Sequence, residues 1–128
     1  MLRKQILVVD DEKEIRDILE LTFKDAGYYV LAVATGEEAI DVFAKETIPV
    51  VFLDIKLPGL SGFDICHEMK QINPNAYIIA MTGYTDLFDQ QKCLSAGFDY
   101  YFPKPFRFKH LMQLARDALE KVDWWKKY

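Results

Sequence analysis

Ile6-Leu7-Val8-Val9-Asp10-Asp11 sets four apolar side chains directly ahead of two carboxylates. A run this short and this uniformly apolar suits a strand buried on both faces, as in a parallel sheet covered by helices. The same pattern returns along the chain. Pro49-Val50-Val51-Phe52-Leu53 runs into Asp54, and Ala76-Tyr77-Ile78-Ile79-Ala80-Met81 runs into Thr82. Tyr28 to Val33 and Phe98 to Phe102 complete a set of five predicted strands.

Between the strands the apolar period changes from two to between three and four. Ile15, Ile18, Leu19 and Phe23 form one stripe, opened by Asp11 with Glu14 as a capping-box-like pair and closed by Gly27. Thr35 with Glu38 caps a second helix through Ala39, Ile40 and Phe43. Ser61 opens a third through Ile65, Cys66 and Met69. A fourth runs through Leu87, Phe88, Gln91 and Leu94 to Gly97, and a fifth carries Phe108, Leu111, Met112, Ala115, Leu119 and Val122 on one face. Strands alternating with helices predict an α/β fold: a doubly wound five-stranded parallel sheet flanked by five helices, with right-handed crossovers.

The chain has 128 residues, 51% of them hydrophobic and 28% charged. That composition predicts one packed domain over residues 1–128 that needs neither disulfides nor a structural metal to fold. Its formal charge is −4, which argues against bulk attraction to nucleic acid. The charge is uneven. Up to Pro103 there are 9 basic and 17 acidic residues, and from Lys104 onward 7 and 3. No apolar run approaches a membrane span of ~20 residues. Cys66 and Cys93 have no metal-ligand spacing and read as reduced thiols, consistent with a cytoplasmic protein.

In doubly wound sheets, ligands bind beyond the carboxyl ends of the strands. The residues there are Asp10, Asp11, Asp54, Thr82 and Lys104. Three carboxylates together repel one another, and a divalent cation removes the conflict. Hard oxygen donors in a small hydrated site suit Mg²⁺. With an ammonium and a hydroxyl beside them, they can neutralise a phosphoryl group from several sides, and a carboxylate can accept that group.

Four short motifs in order then define a likeness: Val8-Val9-Asp10-Asp11-Glu12; Leu53-Asp54 with Leu57-Pro58-Gly59-Leu60-Ser61-Gly62; Met81-Thr82-Gly83; and Lys104-Pro105-Phe106. The sequence resembles the receiver domain of two-component and phosphorelay response regulators over essentially its whole length. The resemblance implies a flavodoxin-like strand order, 2-1-3-4-5. It implies that Asp54 is the phosphoacceptor, with Mg²⁺ bound by Asp11, Asp54 and the Lys56 carbonyl directly and by Asp10 through water. It implies that Thr82 and Lys104 contact the phosphoryl oxygens, that Tyr101 switches rotamer on activation, and that the Lys104-Pro105 bond is cis. The implied partners are a histidine kinase or histidine phosphotransferase, met through the first helix and adjoining loops. The readout is a face of the fourth helix, fifth strand and fifth helix, with a phosphorylation-dependent dimer as one outcome. Self-phosphorylation and autodephosphorylation are the only implied activities. Lys56 and Tyr84, at two sites the family varies, resemble the small stand-alone members that relay phosphate in sporulation.

Two other classes stand beside this reading. An aspartate-nucleophile phosphohydrolase usually spaces two aspartates one residue apart after the first strand, whereas Asp10 and Asp11 are adjacent. A flavodoxin-type binding module presents hydroxyls and amides to a phosphate where this chain presents Asp10, Asp11 and Glu12. No G-x-x-x-x-G-K-[ST] loop occurs, which excludes a nucleotide-hydrolysing switch. His67 and His110 read as surface residues, and Trp124, Trp125 and Tyr128 as packing of the final helix, a partner contact or a linker stub.

Overall fold

The computed structural model describes residues 4–83, 87–104 and 107–127. Its elements alternate without exception: β1 (Gln5–Val9), α1 (Lys13–Asp25), β2 (Tyr29–Val33), α2 (Gly36–Lys45), β3 (Val50–Asp54), α3 (Gly62–Ile72), β4 (Tyr77–Thr82), α4 (Leu87–Ala96), β5 (Tyr100–Pro103) and α5 (Phe108–Lys127). Every strand pairing is parallel, and the order across the sheet is β2-β1-β3-β4-β5. β1 and β3 are buried along their whole length, which is why they read as unbroken apolar runs. Pro103 is tolerated because β5 is an edge strand and Pro removes a donor only from the ladder.

The two-residue period of the strands sorts the core into two layers. Leu7, Val9, Val51, Leu53, Ile78 and Ala80 pack against α2, α3 and α4 through Ala39, Phe43, Ile65, Met69 and Cys93. Ile6, Val8, Val50, Phe52, Ile79 and Met81 pack against α1 and α5 through Leu19, Phe23, Leu111, Ala115 and Ala118. Phe23 and Phe52 meet ring to ring at 5.1 Å between centroids.

The element ends follow local hydrogen bonding, and several differ from the sequence expectation. The second, third, fourth and fifth strands start later than their apolar runs, the third by one residue. Tyr28 N–H donates to the Phe23 carbonyl, Ala76 N–H to Asn73 and Phe98 N–H to Cys93, so each closes the preceding helix or turn before pairing begins. Thr35 and Ser61 cap α2 and α3 as expected, accepting from the N–H of Glu38 and Asp64. Asp11 does not cap α1. That helix begins at Lys13 with Glu12 at its N-cap and no side-chain cap bond. Ile18 leaves the α1 stripe and is 44% exposed, because Ile15, Leu19 and Phe23 already make the four-residue ridge that faces the sheet. In α4, Cys93 turns inward while Leu94 is 70% exposed. Gly27 and Gly97, at φ 93° and 104°, supply the left-handed turns that end α1 and α4. His67 and His110 are exposed, as expected.

Tyr84, Pro105, Phe106 and Tyr128, and the side chains of Trp124 and Trp125, lie outside the described residues, so the expectations placed on them have no counterpart here. Among the described residues, no helix is long and apolar enough to cross a membrane.

Candidate functional site

The sheet period that builds the core also builds the site. Ile6 and Val8 lead on to Asp10, Val50 and Phe52 to Asp54, and Phe102 to Lys104. All three polar residues therefore continue rows that face α1 and α5, at the carboxyl ends of three strands. Thr82 and Tyr101 continue the opposite face, with Ile78 and Ala80 leading to Thr82, and Tyr101 paired in register with Ala80.

Lys104 Nζ lies 2.8 Å from Asp10 Oδ2 and 3.3 Å from Asp54 Oδ2. Asp10 is fully buried, Asp54 nearly so, and the lysine side chain is only 16% exposed. The remaining carboxylate oxygens are also engaged: Asp10 Oδ1 accepts from Glu12 N–H and Asp54 Oδ1 from Lys56 N–H, each at 2.9 Å. Among the described residues, no buried side-chain polar atom lacks a partner.

Burial raises the Asp54 carboxyl above its usual range, more than the Lys56 N–H and the Lys104 charge lower it; the Asp10 charge adds to the rise. Burial alone would push Lys104 down. Its bond to Asp10 and the charges of Asp54 and Asp10 prevail and hold it above the ordinary lysine value, so it stays an ammonium. Burial also pushes the Cys66 thiol up to about 12, which leaves it unreactive.

Asp11 and Glu12 are exposed beside buried Asp10, and one carboxylate oxygen from each of the three lies within 4.8 Å of the others. An all-oxygen, net-negative set of this size can hold a small hard cation. Glu12 is the member that sequence reasoning passed over as a ligand. Arg16 was passed over as well: its Nη1 donates to the Asp10 carbonyl at 2.8 Å. Asp10 receives the Glu12 N–H at the entry to α1.

Loop geometry fixes the height of Asp54. Ile55 N–H donates to Met81 O, and Gly62 N–H returns to Ile55 O. A Cβ on Gly62 would lie 2.4 Å from Ile55 Cα and 2.7 Å from the Asp54 carbonyl oxygen. Thr82 is fully buried at the end of β4, and its carbonyl accepts from Lys104 N–H at 2.7 Å. Thus Lys104 contacts both Asp10 and Asp54, Asp11 and Glu12 adjoin Asp10, and Thr82 joins through the backbone.

The model of the response regulator receiver domain matches residues 6–116. Sporulation initiation phosphotransferase F of Bacillus subtilis is 37% identical over 94% of this chain and 94% of its own. The probable transcriptional regulator ycf27 of Porphyridium aerugineum is 39% identical over 96% of this chain. The chain spans about half the length of the ycf27 relatives it matches. Among solved structures, a CheY-like response regulator receiver domain protein from Methanospirillum hungatei superposes with a TM-score of 0.91 at 30% identity, over 95% of this chain and 98% of its own. A family match along most of the sequence therefore coincides with the same fold: this chain belongs to the response regulator receiver domain family.

Proposed function

We propose that residues 1–128 act as one phosphoacceptor unit and that Asp54 is the acceptor. The observation that carries this reading is the Asp54 carboxylate itself. It ends a wholly buried strand and has an ammonium 3.3 Å away that is held on its other side by Asp10. The donor is the phosphohistidine of a histidine kinase or phosphotransferase. An Asp54 oxygen attacks phosphorus, the P–N bond breaks, and its electron pair leaves with the imidazole. Lys104 offsets the charge on the arriving phosphoryl oxygens, and the Thr82 hydroxyl donates to one of them. Asp11, Asp54 and the Lys56 carbonyl would hold Mg²⁺ directly and Asp10 through water, with the nearby Glu12 adding to the negative field. When bound, the ion would supply positive charge that offsets the charge of the phosphoryl group.

Thr82 and Tyr101 share a sheet face, so drawing the Thr82 side chain toward the phosphate opens room toward which Tyr101 can turn. A charge event is thereby converted into a change of the α4-β5-α5 surface. The similarity to a sporulation phosphotransferase along nearly the whole of both chains favours a relay, in which Asp54 passes the group on to a second histidine.

Incubation with Mg²⁺ and acetyl phosphate tests the reading against a phosphohydrolase. A receiver gains one acid-stable, base-labile phosphate per chain. Turnover of many donor equivalents without a retained phosphate rejects the proposal.

A further inference from the structure

We propose that Arg16 is a positioning residue for the cation site, acting by locking the peptide that joins Asp10 to Asp11; the inference rests on the reading of that loop as a Mg²⁺ site. Asp10 is pinned at every polar atom. Its N–H donates to Val33 O, its two carboxylate oxygens accept from Glu12 N–H and Lys104, and its carbonyl accepts from Arg16 Nη1 at 2.8 Å. Among the described residues, the side chains of Asp11 and Glu12 have no such anchors: both are exposed, and α1 starts after them without a side-chain cap. The Asp10 carbonyl belongs to the peptide plane from which Asp11 departs. Fixing that plane fixes the direction in which the Asp11 carboxylate is offered.

Arg16 can reach back because α1 has already begun. Its N–H donates to Glu12 O in the first turn, and its half-buried guanidinium folds over the loop to a residue six positions earlier. A planar donor group on a carbonyl holds orientation as well as distance. Partners that orient metal ligands commonly change affinity by about 10–100-fold when removed.

Charge and positioning give opposite signs, which makes the inference testable. Arg16 is a cation beside an acidic cluster, so by Coulomb interaction alone its removal would tighten Mg²⁺ binding. Loss of positioning weakens it. Calorimetric titration of Mg²⁺ into wild type, Arg16→Met and Arg16→Lys, without phosphodonor, separates the two. The expected result is roughly tenfold weaker binding for Arg16→Met, a smaller loss for Arg16→Lys, and folded metal-free protein by circular dichroism in both. Equal or tighter binding in Arg16→Met overturns the proposal. If that variant fails to fold, Arg16→Lys decides, and wild-type affinity there overturns it. Absence of Mg²⁺ binding by the wild type overturns the cation reading itself, an outcome seen before any Arg16 variant is compared.

Discussion

Lys104 and Asp10 stand 94 residues apart in the chain and 2.8 Å apart in the structure, one just past an edge strand and the other at the end of an interior strand. The same ammonium reaches Asp54, so one side chain spans two buried carboxylates from neighbouring strands. The two anions that most need a counter-charge thus have one within the fold. On the exposed side, Asp11 and Glu12 set two further carboxylates beside Asp10.

Removing Lys104 is therefore expected to destabilise the protein strongly. Lys104→Met leaves Asp10 and Asp54 buried without their cation, and loss of one partner from such a pair costs about 3 kcal/mol or more. Urea titration measures it. The loss should shrink when Asp54→Asn is combined with Lys104→Met, since one of the two unpaired charges is then gone.

Asp54 also gives stability a definite pH dependence. Its folded carboxyl lies above the ordinary range because it is buried. Its contribution is then fully present below the unfolded-state value and lost as pH rises through the folded value. Asp54→Asn removes that loss. Without Mg²⁺, the variant should gain in thermal midpoint over wild type between about pH 4 and pH 7. A constant difference across that range would contradict the raised carboxyl.

Metal linkage should be visible without any phosphodonor. At a free Mg²⁺ concentration 100 times the dissociation constant, the wild type is expected to gain about 2.7 kcal/mol in chemical denaturation. Asp11→Ala should lose most of that gain. Its metal-free stability should stay within about 0.5 kcal/mol of wild type, because Asp11 is exposed and does not cap α1.

Two glycines beside the site should respond differently to alanine. At Gly62 the new methyl meets the backbone of Asp54 and Ile55, which cannot yield as a side-chain tip can. Gly62→Ala is expected to cost about 2–3 kcal/mol and to slow phosphate uptake by displacing Asp54. At Gly83 a Cβ has nothing within 4 Å among the described residues. Gly83→Ala should be close to neutral in stability, measured in the same denaturation series.

The strand ends that carry Asp10, Asp54 and Lys104 were legible because apolar runs of strand length stop at a charge, and a two-residue period carries a row on one face to its end. Arg16 was not legible, since a guanidinium reaching a carbonyl six residues back leaves no periodic mark. Asp11 misled because its type and spacing suit a cap, while the chain spends an extra residue entering the helix with the Asp10 carboxylate on the Glu12 N–H. Likewise, an apolar residue such as Tyr28 or Phe98 extends a strand pattern even when its N–H bonds back to the preceding helix.

Phosphoryl uptake is proposed to fall on one carboxylate, Asp54. Its most direct test is peptide mapping by mass spectrometry after phosphorylation with acetyl phosphate and Mg²⁺, on wild type and Asp54→Asn in parallel. The expected result is a single modified peptide containing Asp54 in the wild type and no phosphate in the folded variant. Full phosphorylation of Asp54→Asn, or a wild-type label on a peptide lacking Asp54, would contradict it.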